Sequence, residues 1–447
     1  MLFRYKSALI CFFFVGRLAA QQELMLSSMT DLWHSNSVNP AFYPKDKRIY
    51  IGLPAYSVDL AHSGDITFQD IFRKDGDRNI IDLDNAIAKL EPENEMFLDQ
   101  RIETVSIGLR SRNDKWGLQF SHANVTTGWV QYPKALAEFL WNGNGPYVGE
   151  TLEIGPKADI FDWNEWSVGL SRRFGKVNFA ARFKYLTGAG YLRSDENRTL
   201  VSIYTDPDIY QLTLKTDYVF YSSSIVDAVD TSAYGYDFST RGFGGKSSTE
   251  NSGYAIDLGF DAQLSDMLSV HVSAVNLGGS IRWKKDAATY TSKNEYLYEG
   301  AVIPGIDIIN GADSLDFDSQ IDTLNDIFKF VKTEGGELTN ELPLRIYGGA
   351  NLKLSEKWSL GFNAMYQTHY ERVNLALGVS ARWQPLKWLA LGGMYSANSR
   401  SVANIGLQVV FKPGPVQLYV ASDNVLNGFS VKSSPGVNLR AGASLLF

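Results

Sequence analysis

The chain has 447 residues, a formal net charge of −7, 13% aromatic and 20% charged residues. That balance excludes a disordered chain and supplies no basic surface for a polyanion, so no nucleic-acid partner is expected. Cys11 is the only cysteine, which excludes a disulfide framework, and no zinc, Walker or dinucleotide motif calls for a cofactor.

Arg4 and Lys6 precede an apolar run, Ala8 to Val15, and Leu18-Ala19-Ala20 follows as a small-residue cleavage site. Residues 1–20 therefore read as a signal peptide, its core too short to cross a bilayer as a helix. Residues 21–48 are irregular and contain Ser35-Asn36-Ser37-Val38-Asn39-Pro40-Ala41-Phe42-Tyr43-Pro44. Two prolines and the Asn/Ser cluster preclude a central strand there. Residues 49–60 are the first strand candidate, broken by Pro54. A polar stretch follows, with a helical pattern over 80–90.

Hairpins are predicted for 103–110 with 115–121, 166–174 with 177–187, 199–205 with 208–221, and 253–264 with 268–277. A helix is predicted over 133–141. An amphipathic one is carried by Ile321, Leu324, Ile327, Phe328 and Val331. Seven further strands fill 343–447. In one of these, Val373, Leu375, Leu377, Val379 and Ala381 alternate with Asn374, Gly378, Ser380 and Arg382. Successive side chains of a strand point to opposite faces, so each such segment has one apolar and one polar face.

A soluble antiparallel sandwich shows the same alternation. Loop lengths separate the two. Turns near 111–114, 175–176, 206–207, 265–267, 355–356, 384–386 and 412–414 are short, whereas the connections 62–102, 122–165, 222–252 and 278–342 are long. Transmembrane barrels sort their connections this way, and aromatics near strand ends (Trp116, Trp166, Trp358, Trp383, Trp388, Tyr366, Tyr395) supply the interfacial girdles. The expectation is an all-β, up-and-down transmembrane antiparallel barrel over 49–447. The count is about sixteen strands, or fourteen if 199–221 is a hairpin standing beyond the membrane. A mean hydropathy of −0.16 fits a barrel with a wet interior.

Asn39-Pro40-Ala41, set between the signal peptide and the first strand, resembles the motif of the FadL-type outer-membrane transporter superfamily. Phe447 ends an alternating strand and resembles the terminal aromatic read by the barrel-assembly machinery. The stretches YPKALAEFLWNGNGPYVGE and NELPLRIYGGANLKLSEKWSLGF resemble an uncharacterised family of barrels related to PorV. The resemblance implies that residues 21–48 fold into the lumen as a hatch, and that the barrel sits in the outer membrane among its lipids. It implies uptake or binding of small, partly hydrophobic molecules, or, as in PorV, an accessory role bound to secretion-system proteins.

The inward face departs from a fatty-acid conduit, since Arg110, Arg182, Asp257, Arg345, Arg382 and Arg440 are lumen-facing candidates, with Lys115, Arg173, Lys184 and Lys353 beside them. Pairing with one another and with hatch residues such as Asp31 and Lys45 is the plain explanation. An enzyme is not expected. Ser121 and His122 are neighbours on opposite strand faces, and His369-Tyr370-Glu371 lacks a nucleophile at a useful spacing. Asp313, Asp316, Asp318, Asp322 and Asp326 crowd one loop without the glycine and terminal glutamate of a calcium-binding loop, so a solvated acidic loop is expected in place of a metal site.

Overall fold

A chain that must place backbone in lipid has to pair every amide and carbonyl within itself, which a closed ring of strands achieves. The computed structural model describes residues 24–447 except 46, 64, 65, 67–69, 71, 76, 77, 228–236, 239–246, 299–329, 370, 371, 400–403 and 426–435. The expected signal peptide, the five clustered aspartates and all of the amphipathic-helix candidate but its last residue lie outside the described residues. That last residue, Val331, opens a short strand, Val331–Glu334.

Among the described residues fourteen strands close the barrel. The first seven are β1 (Ile49–His62), β2 (Glu93–Arg110), β3 (Trp116–Pro133), β4 (Lys157–Phe174), β5 (Val177–Thr205), β6 (Ser248–Gln263) and β7 (Leu268–Trp283). The others are β8 (Leu344–Lys353), β9 (Trp358–His369), β10 (Arg372–Leu386), β11 (Leu389–Asn398), β12 (Asn404–Phe411), β13 (Val416–Ser422) and β14 (Gly436–Leu446). Each pairs antiparallel with its neighbours, and β1 closes the ring on β14 through Tyr50↔Leu446 to Ala61↔Gly436. The seam is tied at its end by Arg48 N donating to Phe447 O (2.7 Å) and Phe447 N to Ile49 O (2.9 Å). Pro54 is tolerated in β1 because the register shifts between Gly52 and Ala55, a bulge that leaves no ladder bond for it to make.

The outward face is the apolar one. Val373, Leu375, Leu377 and Val379 on β10 are about half exposed, while the interleaved Ala376 and Ser380 are buried. Val373 to Trp383 spans ten rises of about 3.3 Å; at a tilt of about 40° this gives an apolar belt of about 25 Å, the height a bilayer needs. Trp116, Trp358, Trp383 and Trp388 mark the short-turn rim, where Trp358 and Trp383 stack at 5.9 Å. Trp166, Tyr366 and Tyr395 lie towards the opposite rim.

The wall is uneven in height. Strand β5 runs for 29 residues, far beyond the belt. Its upper half pairs with Leu212–Ser223, which pairs with Ala287–Tyr298 and then with Val331–Glu334. The expected 199–221 hairpin is this extension, and its turn at 206–211 stands at the long-loop end instead of the short-turn end. That correction leaves fourteen strands in the ring. Much of the stretches 122–165 and 278–342, expected as loops, is likewise strand. Outside the belt both faces of a strand meet water or protein, so alternation no longer marks it, and cross-strand charges such as Lys215 with Glu295 (3.8 Å) replace apolar side chains.

The predicted helix over 133–141 is α3 (Lys134–Asn142), entered from Pro133 and ended by Gly143 at φ +71°. The 80–90 pattern yields only α2 (Leu83–Ala88), capped by Asp82, whose carboxylate accepts Asn85 N at 3.2 Å. Trp141 Nε1 donates to Asp84 Oδ1 at 2.8 Å and ties the two helices together.

The belt and the extension make different demands on equally exposed leucines. Leu377→Arg, in the belt, is expected to destabilise the folded barrel by about 2–4 kcal/mol. Leu297→Arg, on the extension, should change stability by no more than about 0.5 kcal/mol. Denaturant titration in lipid vesicles, read by heat-modifiable gel migration, measures both.

Candidate functional site

Closing a ring of fourteen strands encloses a volume that something must fill. Residues 24–45 fill it. The segment comprises α1 (Leu24–Ser28), a 3₁₀ turn (Trp33–Ser37) and the irregular stretch through Pro44, and nearly all of it is buried. It bonds to strands all round the ring. Ser27 Oγ donates to Asn363 Oδ1 on β9 (3.2 Å), Trp33 Nε1 to Ser106 Oγ on β2 (2.9 Å) and Trp33 N to Gln417 Oε1 on β13 (3.0 Å). Ser273 Oγ on β7 donates to Val38 O at 2.6 Å.

Asn39-Pro40-Ala41 is docked by its own polar groups. Asn39 Oδ1 accepts Ala41 N (2.9 Å), a side-chain turn of the kind asparagine favours, while Nδ2 donates to Phe260 O on β6 (3.1 Å). Asn178 Nδ2 on β5 donates to Ala41 O at 2.6 Å. Two inward glycines make room for this approach. A Cβ at Gly259 would lie 2.3 Å from Asn39 Oδ1, and one at Gly108 would lie 2.2 Å from the Trp33 indole. Glycine inside a strand often marks a close backbone or ligand approach, and this was the available signal for where the segment lies.

One side of the lumen is a chain of buried charges. Arg101 Nη1 on β2 meets Glu165 Oε2 on β4 at 2.7 Å, and Lys184 Nζ on β5 reaches Glu165 (3.4 Å) and Asp257 on β6 (3.2 Å). Asp257 is fully buried and accepts Arg182 Nε at 2.7 Å. The same guanidinium donates to Asn36 O (3.0 Å), Asn36 Oδ1 (3.1 Å) and Ser37 O (2.9 Å), so the network grips the segment's backbone. Asn276 on β7, at φ +63°, offers its amide to Asp257 and its Oδ1 to Lys184. That left-handed position is one asparagine tolerates.

The other charged candidates are also partnered. Arg345 pairs with Asp99 and donates from Nε to Gln367 Oε1 at 3.0 Å. Arg382 makes a two-pronged pair with Asp31 (2.5 and 2.8 Å), to which Lys412 also bonds. Arg440 pairs with Asp423, whose Oδ1 accepts Met25 N at 2.6 Å. Arg110 lies over the Tyr43 ring at 4.9 Å and 3.7 Å from Asp114. Lys115, Arg173 and Lys353, also expected inside, stand at the rim, where Arg173 meets Asp114 and Lys353 meets Glu356. Lys45 reaches Gln263 Oε1 at 3.4 Å. The acids Asp99, Glu103, Glu165 and Asp423 escaped the sequence reading because they fall in stretches expected as loops or lie at strand edges.

Beside those pairs, the opposite half of the lumen carries an apolar seam. Leu24, Met25, Leu26, Met29 and Leu32 pack on Tyr347, Met365, Ala376, Met394, Val410 and Tyr419 of β8–β13. Methionine fills such a seam with little shape demand.

Four histidines are hydrogen-bonded, while buried His271 packs edge-on to Phe42 at 5.1 Å. His34 faces Glu103 (2.9 Å) and Ala443 O (2.8 Å); with an acceptor at each nitrogen, both nitrogens donate, which describes an imidazolium on a carboxylate. His122 meets Thr104, and Ser121 bonds Ser167 instead. His62 meets Tyr132 OH at 2.7 Å, and His369 meets Glu341 O at 3.0 Å. Phe447 is exposed, its backbone bonded to β1.

Residues 40–423, most of the barrel, match one family model. The chain belongs to DUF5723, a family of unknown function. No curated protein matches it. Among solved structures, the toluene transporter TbuX of Ralstonia pickettii aligns over 93% of this chain and 94% of its own at 11% identity and a TM-score of 0.35. The Pseudomonas putida toluene transporter TodX aligns over 93% and 91% at 10% identity and 0.39. The translocator domain of the autotransporter NalP from Neisseria meningitidis aligns over 91% and 91% at 10% and 0.36. At these scores the likeness carries no argument about what this barrel does.

Replacing Arg182 by methionine removes the grip on Asn36 and Ser37 and breaks the buried pair with Asp257, which is left with Lys184 and the Asn276 amide. Docking of the segment should weaken by about 3–5 kcal/mol, whereas Arg198→Met, at the half-exposed pair with Asp217, should cost about 1 kcal/mol or less. Amide hydrogen exchange across residues 34–42 should rise steeply in the first variant and stay unchanged in the second.

Proposed function

We propose that the protein is an outer-membrane barrel that binds small, partly hydrophobic molecules and passes them inward along one side of its N-terminal segment. The observation that carries this is the two-sided filling of the lumen. Directional hydrogen bonds from Arg182, Asn178 and Ser273 hold residues 36–41 against β5–β7. Against β8–β13, α1 packs mainly leucine and methionine side chains, with few polar ties: Ser27 to Asn363 and Met25 N to Asp423, and just beyond it Asp31 to Arg382 and Lys412. Buried ion pairs are costly to separate, whereas an apolar seam can part around an apolar guest that replaces the lost contacts. The barrel wall stays fixed because its ladder closes on itself. The segment is the hatch, and the seam is the path.

Ser27→Cys with Asn363→Cys tests this, since the two side chains now touch across the seam and Cys11 is the only native cysteine. In vesicles, entry of a small aromatic hydrocarbon should fall several-fold when the pair is oxidised and recover on reduction. A deletion of residues 24–43 should raise it. Equal entry through the oxidised and reduced barrels would overturn the seam as the route.

A second reading, an accessory barrel that docks secretion-system proteins, draws on the outer extension. Leu140, Trp141, Ile209 and Tyr210 are strongly exposed there, and Asn144 bonding Thr205 sets the two loops side by side. If that reading is right, changing these four to serine should abolish co-purification of exported proteins and leave hydrocarbon entry untouched.

A further inference from the structure

We propose that the outward surface of β3–β8 at the short-turn rim binds a glycerophospholipid, its phosphate on Arg172 and an acyl chain in a groove along the belt. The groove follows from register. Leu170↔Ala181, Ala181↔Leu258, Leu258↔Ala274 and Ala274↔Ile346 form one outward row across five strands, β4 to β8. Alanine at two of these places, between leucine and isoleucine, dents the belt. One row closer to the rim, Phe179 and Phe260 flank the dent at 5.1 Å between ring centroids. The hollow measures about 610 Å³, within the roughly 300–1,000 Å³ typical of small-molecule sites.

Arg172 supplies the charge. Its guanidinium lies 4.2 Å from the Trp116 ring and 4.9 Å from the Phe174 ring, on the outward face and level with the girdle. No salt bridge among the described residues engages it. A stacked guanidinium keeps its donors free in the ring plane, and its fork matches a phosphate. The short-turn rim as a whole is basic. Arg48, Arg112, Lys115, Lys176, Lys357 and Lys387 are exposed there, against Asp114, Asp266 and Glu356. In a chain of net charge −7, cations have gathered where lipid phosphates lie. The adjoining groove is in the bilayer, so the occupant with both an anionic head and an apolar tail is lipid.

The test uses the full-length barrel in mild detergent with added phosphatidylglycerol, read by native mass spectrometry. Wild type should retain one lipid. Arg172→Gln and Ala274→Phe, which fills the groove, should each lower occupancy about tenfold. Both substitutions face lipid, and heat-modifiable gel migration confirms that the variants fold. Diacylglycerol, with the same tails and no phosphate, should not be retained. Wild-type occupancy in either variant, or diacylglycerol bound as well as phosphatidylglycerol, would overturn the site. So would a dimer mass in place of the lipid adduct, which would assign the groove to a second copy.

Discussion

The whole structure depends on one requirement: backbone amides and carbonyls that face hydrocarbon must pair within the protein. The bonds between β1 and β14 meet it by leaving the sheet no edge in the membrane. Everything else follows from closure. One face of every strand is then committed to lipid and the other to a sealed interior, which separates the two periodic halves of the sequence into two environments. Where the belt ends, the requirement lapses, and β5 with its neighbours continues into water on cross-strand charge and local packing.

Closure also creates a problem of volume, and residues 24–45 answer it asymmetrically. On the β2–β7 side the segment is placed by buried charge. Such pairs seldom add much net stability against a well-packed apolar alternative, but breaking one is expensive, so their effect is to define a single docked position. Arg182 shows how: one guanidinium satisfies Asp257 and simultaneously two backbone carbonyls of the segment that no helix or strand partner supplies. On the β8–β13 side α1 makes mainly apolar, non-directional contact, and Asp31 with Arg382 and Lys412 is the charged fixing there. A filled barrel with one rigid and one yielding contact has a preferred direction in which to open.

The outward surface is equally specific in detail. A belt made only to dissolve in lipid would be evenly bulky. Here Ala181 and Ala274 break the row next to Arg172, which meets no protein anion among the described residues. The cost of placing a guanidinium at the bilayer boundary is lowered by the Trp116 and Phe174 rings and by the headgroup layer itself.

The sequence by itself determined the architecture, because alternation, aromatic strand ends and sorted loop lengths are direct consequences of a lipid solvent. The seven strands after Pro343 are legible for that reason. Tertiary structure decided what local pattern does not encode. Strand lengths beyond the belt are invisible in the sequence because in water neither face must be apolar, and for the same reason the turn near 206–207 reads as a short-turn-end connection although it stands at the opposite end. Pairing inside the lumen is an expectation of the sequence, but which arginine meets which acid is illegible in it. Asp31 with Arg382 and Asp99 with Arg345 are brought together only when the ring closes, across hundreds of residues of chain.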